Sequence, residues 1–463
     1  MSFSPAALLT RIQAHLPASA SGRLCIAFSG GLDSTVLLQA LAAALGEQPA
    51  GRFALRAVHV DHQLQSRSTE WRRHCADLAA KMGIDFAFRQ VHVPPDAPTG
   101  VEAAARTVRY AALRSLIDPG EALLTAHHAD DQLETLLLAL TRGAGLGGLS
   151  AMPACQAFGA GWHVRPLLEF TRAELEAWAG AQGLSWLSDP SNDDSRFSRN
   201  YLRHQVIPAL QRRWPGITHS AVRSAGHLAE AGVLLEALAA ADHAVAAAGS
   251  CLQVAALARL DGSRRRNLLR YWLRLQGARL PSTRKLLSLE HDMLAAQEDR
   301  LPCVEWDGFE VRRHRGLLYA VAQLPPAQSQ GATFEWDWSR ELVLPDGLGL
   351  LRMQSVRGAG LARAKLPSRL PVTFRRGGES LQTAGRNHHR KLKKLLQEAD
   401  VLPWWRDRLP LLHAEGRLAA VGDLWTAQEF AAHGEEEGVR IVWQNRPPIA
   451  AMQQVEMERR GDR

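Results

Sequence analysis

The strongest constraint on how this chain folds is local. Leu24 to Phe28 is a short apolar run, Ser29-Gly30-Gly31-Leu32-Asp33-Ser34 follows directly, and Thr35 to Leu41 continues as an apolar helical stretch. A strand that passes through a glycine turn into a helix is the opening unit of a doubly wound sheet. It also makes an anion site, because the N–H groups of the turn and of the helix N-terminus converge on one point of partial positive charge. Gly30 and Gly31 allow close main-chain approach and positive φ, Ser29 and Ser34 offer hydroxyls, and Asp33 can hold a magnesium ion beside a phosphate. A Walker loop needs G-x-x-x-x-G-K followed by Ser or Thr, and no lysine stands here.

The loop resembles the SGG-x-DS signature of the PP-loop ATP pyrophosphatases. That resemblance implies ATP as substrate, bound through Ser29, Gly30, Gly31, Leu32, Asp33 and Ser34, cleavage to AMP and pyrophosphate, and adenylation of a carbonyl oxygen.

The strand–helix alternation repeats downstream. Strands are expected over Phe53–Val60, Phe86–Val93 and Ala122–Ala126, and helices over Thr69–Met82, Val101–Ile117 and Asp130–Leu140, which predicts an α/β fold with an open parallel Rossmann-like sheet. The glycine cluster from Gly143 to Gly148 predicts a mobile loop, a hinge or lid. Beyond Pro215-Gly216 the composition shifts to Ala, Leu and Arg, with helical periodicity over Ala221–Ala248, Arg264–Leu275 and Thr283–Ala296, so an all-helical domain is expected. Leu324 to Gly331 has linker composition, and the short β-rich segments after it predict a small α/β C-terminal domain.

At 463 residues the chain exceeds the roughly 250–300 that one core supports. The expected boundaries are 1–216, 217–325 and 332–443, the small α/β domain lying within about 371–443, with a polar, frayed tail over 444–463.

No run approaches the ~20 apolar residues of a membrane span, and the N-terminus lacks a basic start followed by an apolar stretch, so a cytoplasmic protein with no membrane partner is expected. The five cysteines are scattered with no C-x-x-C pair, which argues against zinc ribbons, clusters and disulfide frameworks. A net charge of +8 suits a protein that meets a polyanion.

Two further segments fall at strand ends that face the same crevice. Val58-His59-Val60-Asp61-His62 places His59 to contact the adenosine; His59 and His62 can equally just end the strand, and without a third ligand they make no zinc site. Thr125 to Thr135 packs two imidazoles and three carboxylates into eight residues. There Asp131 can complete a magnesium site with Asp33, and His127 can contact the transferred group or assist proton transfer, while Asp130 or Asp131 can also cap the helix.

Three blocks then resemble the tRNA(Ile)-lysidine synthases along essentially the whole chain. The first joins SGGLDS, VHVDHQLQSRS and TAHHADDQLETLLLALTRGAGLGGLSAMP. The second is Arg165-Pro166-Leu167-Leu168 with Trp186 to Asn192 and Arg196 to Arg203, ending in the R-N-x-x-R form. The third runs from Arg386 to Glu398 and from Pro403 to Pro410, with five basic and no acidic side chains between 386 and 394 and a tryptophan pair, a pattern suited to phosphate contacts and base stacking.

The resemblance implies a carbon–nitrogen ligase whose partners are L-lysine and the isoleucine tRNA with a CAU anticodon. ATP would adenylate C2 of cytidine 34, and the ε-amino group of lysine would then displace AMP, changing decoding from AUG to AUA. Asp33 and Asp131 would hold Mg2+, and Arg199 and Arg203 would stabilise phosphate or the anticodon backbone. Arg264, Arg265, Arg266, Arg386, Arg390, Lys391, Lys393 and Lys394 would contact tRNA, and Asp61, Glu134 and Asp189 are candidates for the lysine ammonium. A tRNA thiolase using the same loop is the alternative among enzymes, with Cys75 and Cys155 as its only conceivable sulfur carriers. A tRNA-binding protein that merely senses ATP is the alternative from another class. Monomer and homodimer both stay open.

Overall fold

The computed structural model describes residues 2–47, 52–62, 68–94, 101–188, 198–297, 300–324, 333–386, 388–447 and 449, the side chains of 101–103 excepted. Asp189 to Phe197, most of the expected linker and nearly all of the expected tail lie outside the described residues. By its internal contacts the chain forms two compact units, Met1–Leu234 and Leu235–Arg463. Among the described residues no helix is long and apolar enough to cross a membrane.

The first unit opens with helix α1 (Pro5–His15), whose N-cap Ser4 accepts the Ala7 N–H. The strands that follow are β1 (Arg23–Ala27), β2 (Ala54–Asp61), β3 (Asp85–Gln90), β4 (Ala122–Leu124), β5 (Cys155–Phe158) and β6 (Gly161–Val164), in the order β3-β2-β1-β4-β6-β5. All pairs are parallel except the β5–β6 hairpin. Helices α2 (Leu32–Gly46), α3 (Ser68–Lys81), α4 (Val101–Leu116) and α5 (Ala129–Thr141) alternate with the strands; α3, α4 and α5 fall within one residue of the expected bounds, whereas α2 extends beyond Thr35–Leu41 at both ends. Leu24, Ile26, Val36, Leu37, Leu41 and Leu124 are fully buried, so β1 and α2 form the centre of the core.

Chain order reverses between β1 and β4, because the connections leave β1 toward β2 on one side and return to β4 on the other. The crevice at such a break lies beyond the carboxyl ends of the strands. It receives the Ser29–Ser34 loop from β1 and the Thr125–Asp131 segment from β4.

The glycine cluster is more ordered than its composition suggests. Leu146–Leu149 forms one helical turn, α6, and a Cβ added to Gly148 would lie 2.7 Å from that of Ala144. Helices α7 (Arg172–Ala181), α8 (Ser198–Tyr201) and α9 (Ile207–Arg213) follow, with a π-helical turn over Leu202–Val206, and α10 (Ile217–Ala246) leads out of the unit.

The second region holds the expected helices, but not helices alone. Gly262–Leu275 and Thr283–Ala295 share a core around Trp272, Leu289, Val311 and Leu318 with a five-stranded antiparallel sheet. Two of its hairpins turn on two residues each, Asp307-Gly308 and Arg315-Gly316, all four at positive φ. That is the type I′ geometry matching strand twist, and Asp-Gly is its strongest sequence signal. Helical period in the preceding residues masks these short strands. From Thr333 to Gln444 the described residues form a five-stranded, a four-stranded and a two-stranded sheet, with a seven-residue α-helix over Leu392–Glu398.

Gly30 is where the fold constrains the crevice most tightly. Its φ is +80°, and an added Cβ would stand 2.8 Å from Cys75 Sγ and 3.1 Å from Trp71 Nε1. Strain at positive φ and overpacking act together at this position, so Gly30→Ala should lower the stability of the first unit by ~2 kcal/mol. A urea titration checks this; an unchanged midpoint would mean that the turn relaxes freely.

Candidate active site

The loop is held by its own hydroxyls. Ser34 Oγ donates to the Gly31 carbonyl at 3.1 Å and accepts the Ser29 N–H at 3.2 Å, while the Ser29 and Ser34 hydroxyls lie 3.0 Å apart. Gly31 caps α2 with no side chain, so the first-turn N–H groups have no side-chain acceptor and remain an anion site. Leu32 turns its side chain into the core and can offer a phosphate only its main chain. His59 lies behind the loop rather than in front of it. It is 7% exposed, its Nδ1 is 2.9 Å from the Phe28 carbonyl and 3.8 Å from Cys75 Sγ, and burial lowers its pKa, so it supports the strand end as a neutral ring.

Opposite the loop, α5 begins with a dense charge cluster. His128 Nε2 stands 3.8 Å from Asp33 Oδ2 and 3.5 Å from Asp131 Oδ2, and its Nδ1 is 3.6 Å from Asp130 Oδ2. Burial alone would lower the His128 pKa, but the three carboxylates outweigh it and raise the value to about 9. Asp131 also accepts the His128 N–H at 3.0 Å, and Asp130 accepts the Arg172 N–H at 2.8 Å, so the capping role and the charge cluster coexist. Asp33 is pushed above the usual carboxylate range by burial despite His128, and its Oδ1 is buried with no hydrogen-bond partner among the described residues.

One turn along α5, Glu134 is fully buried and takes a fork from Arg203, with Nε to Oε1 at 2.7 Å and Nη2 to Oε2 at 3.1 Å. Arg199 Nε is 3.2 Å from Glu134 Oε2, and its Nη2 donates to Thr135 Oγ1 at 3.0 Å. Arg203 Nη2 also reaches Asp131 Oδ1 at 3.3 Å. The structure thus brings together Asp33, Asp131, Glu134, Arg199 and Arg203. Asp61, the other described candidate for a lysine ammonium, is buried at the end of β2.

His127 belongs to a different network. Thr125 Oγ1 is 2.8 Å from His127 Nδ1 and 2.9 Å from His163 Nε2, and Arg165 Nη2 is 3.1 Å from His163 Nδ1. Burial lowers both histidines to about 3. His163 escapes sequence reasoning because it stands on β6, which only the sheet order places beside β4. His128 is visible in sequence as the neighbour of His127; its role follows from three carboxylates no linear pattern assembles.

The basic residues divide. Arg264 pairs with buried Asp242 at 2.5 Å, and Arg265 and Arg266 pair with Glu290 at 2.7 and 3.2 Å, so these three tie the helices of the second unit together. Arg270 is half-buried, and after burial the like charges of Arg266 and Arg274 lower its pKa. Arg390 is held in a bidentate pair by Glu398, whereas Arg386, Lys391, Lys393 and Lys394 are exposed. The tryptophan pair is not a stacking platform: Trp404 and Trp405 are 9% and 7% exposed and belong to the core, Trp404 edge-on to Tyr319 at 5.3 Å.

Two stability outcomes follow from this geometry. Arg203→Met leaves Glu134 buried with its main partner gone and should cost ~3 kcal/mol, part of which Glu134→Gln recovers in the double variant. Additive effects in a denaturation cycle would show that the pair is not coupled. His163, with its pKa depressed from 6.5 to about 3, binds a proton in the unfolded chain at pH values where the folded chain does not. Its contribution is present above pH 6.5 and lost as pH falls, by ~1.4 kcal/mol per pH unit. His163→Phe should therefore flatten the stability loss between pH 6.5 and 5 by about 2 kcal/mol in denaturant titrations; an unchanged slope would refute the depressed pKa.

Comparison with known proteins matches residues 6–210 to a family described as the PP-loop domain, 252–319 to the TilS substrate binding domain and 370–443 to the TilS substrate C-terminal domain. The tRNA(Ile)-lysidine synthase of Coxiella burnetii is 40% identical over 423 residues, 91% of this chain and 93% of its own length. That of Alkalilimnicola ehrlichii is 42% identical over 447 residues, 96% of this chain and 98% of its own. Among solved structures, the U34-tRNA thiolase NcsA from Methanococcus maripaludis with its 4Fe-4S cluster covers 48% of this chain and 78% of its own at TM-score 0.39 and 17% identity, too distant a likeness to bear on function. With about 40% identity to such relatives across more than nine-tenths of its length, the chain belongs to the tRNA(Ile)-lysidine synthase family.

Proposed function

We infer that this chain uses ATP to adenylate the C2 carbonyl oxygen of cytidine 34 in the CAU anticodon of tRNA(Ile), and that the ε-amino group of L-lysine then attacks C2 and expels AMP. The observation that carries this reading is the meeting of the uncapped loop of α2 and the carboxylate cluster of α5 at one crevice, in a chain of this family. A carbonyl oxygen is a poor leaving group for an attacking amine, so it must first be phosphorylated, and the charge on the departing pyrophosphate must be stabilised throughout.

The residues present suit Mg2+. Asp33 has a buried, unpartnered carboxylate oxygen, and Asp131 shares His128 with it. Asp33 and Asp131 would hold the ion, which when bound neutralises charge on the pyrophosphate. The N–H groups at the start of α2, with the Ser29 and Ser34 hydroxyls, orient the phosphates. Glu134 is the carboxylate we assign to the lysine ammonium; burial raises its pKa, and its ion pairs with Arg199 and Arg203 oppose that effect.

The division of labour is part of the proposal: 1–216 carries the chemistry, 217–325 and 371–443 hold tRNA, and the protein works in the cytoplasm. In the middle region Arg270 and Arg274 suit phosphate contact better than Arg264 to Arg266, which are internally paired. In the last, Arg386, Lys391, Lys393 and Lys394 present exposed charge. The thiolase alternative is weakened by its cysteines. Cys75 is buried with its pKa pushed up to about 12, and burial also raises Cys155, so neither thiol readily ionises to a nucleophile.

Incubation with ATP, labelled lysine and purified tRNA(Ile), followed by nucleoside analysis at position 34, tests the reading; absence of a lysine adduct there refutes it. Asp33→Asn should bind tRNA with affinity within a few fold of wild type yet lose turnover by at least ~10³. A variant that keeps its turnover would favour an ATP-sensing binding protein instead.

A further inference from the structure

The Arg165–His163–Thr125–His127 chain fixes where protons sit. A guanidinium has only donors, so the Arg165 Nη2 at 3.1 Å makes His163 Nδ1 an acceptor. Neutral His163 then carries its proton on Nε2 and donates it to Thr125 Oγ1, 2.9 Å away. The buried Thr125 hydroxyl has one hydrogen of its own, and its remaining partner is His127 Nδ1 at 2.8 Å. A buried hydroxyl that accepts from both imidazoles would leave its own hydrogen unsatisfied, at a cost that the observed geometry avoids. His127 Nδ1 is therefore an acceptor, and the proton of the neutral ring is on Nε2, which makes no hydrogen bond among the described residues.

We propose that Arg165, His163 and Thr125 are positioning residues that lock His127 as its Nε2–H tautomer, so that His127 serves the reaction as a hydrogen-bond donor to a phosphoryl oxygen of the adenylyl group and not as a base. The identity of that acceptor rests on the function proposed above; the tautomer does not. Asp131 acts on His127 from one side, and the cations Arg165, Arg106 and Arg109 also act on it, positive charge that an anionic guest can use. No proton moves in this role: the ring keeps its Nε2–H while the bond to the phosphoryl oxygen forms and is released with AMP. The low pKa of His127 agrees with a ring that stays neutral throughout.

The test combines a spectrum with a rate, both on the full-length chain. In histidine labelled with nitrogen-15, the His127 signals, identified by their loss in His127→Gln, should show a protonated Nε2 and a bare Nδ1 at pH 7. The opposite pattern overturns the proposal whether or not the enzyme turns over. In single-turnover adenylation of tRNA, His127→Gln keeps an N–H donor near the Nε2 position and should exceed His127→Ala at least ~10-fold, whereas two equally slow variants would mark His127 as a base. Thr125→Val should slow adenylation by roughly 10-fold and blur the tautomer signal, and Thr125→Ser should restore both, since serine keeps the hydroxyl. A Thr125→Val enzyme with wild-type rate and spectrum overturns the relay. Wild-type protein that shows the expected tautomer but forms no adenylate overturns the functional reading and the phosphoryl acceptor while the relay stands.

Discussion

Asp33, Asp130, Asp131 and Glu134 share one small volume at the ends of β1 and β4, and the site exists because cations are arranged to keep them there. Burial favours the neutral acid at each of the four. His128 stands within 4 Å of three of them, and Arg203 bridges Asp131 and Glu134. The sheet order determines this, since only at the reversal between β1 and β4 do a loop from one strand and a helix start from the other open into the same crevice. Four carboxylates stand here against His128, Arg199 and Arg203, with Arg172 also acting on Asp33, and carboxylate oxygens are the ligands that a divalent cation and an ammonium substrate take.

The crevice is polarised. Its acidic side gathers around His128 and suits metal and amine; its basic side gathers Arg106, Arg109 and Arg165 around a neutral His127 and suits phosphate. Adjacent histidines in sequence thus sit at opposite extremes, one raised to about 9 because three carboxylates overcome its burial, the other lowered to about 3 because burial, helped by three arginines, outweighs Asp131. Environments that push neighbouring titratable groups apart are how one site assigns separate roles to chemically identical side chains.

Much of this was legible in the sequence, for stated reasons. Strands β1 to β4 and helices α2 to α5 follow from hydrophobic period, whereas α1 and the β5–β6 hairpin do not, and the Ser29–Ser34 loop announces its anion site because its chemistry is contiguous. What stayed hidden depends on distant partners. The ion pairs of Arg264, Arg265 and Arg266 join residues 22 to 25 positions away, so no linear pattern shows that a run of arginines read as an RNA surface also braces its own helices. Trp404 and Trp405 look like a stacking pair until the two sheets that enclose them are known. The Asp307-Gly308 turn carries a hairpin signal of its own, but it is short and follows a long stretch of helical period. His163 has no linear signal, since its link to Thr125, and through it to His127, is made by the pairing of β4 with β6.

The most direct test of the account follows the oxygen that is said to be activated. If tRNA(Ile) carries oxygen-18 at C2 of cytidine 34 and is turned over once with ATP and lysine, the account predicts that the label appears in the phosphoryl group of AMP. Unlabelled AMP, with the heavy oxygen retained on the base or lost to water, would contradict adenylation of that carbonyl and with it the role assigned to the crevice between β1 and β4.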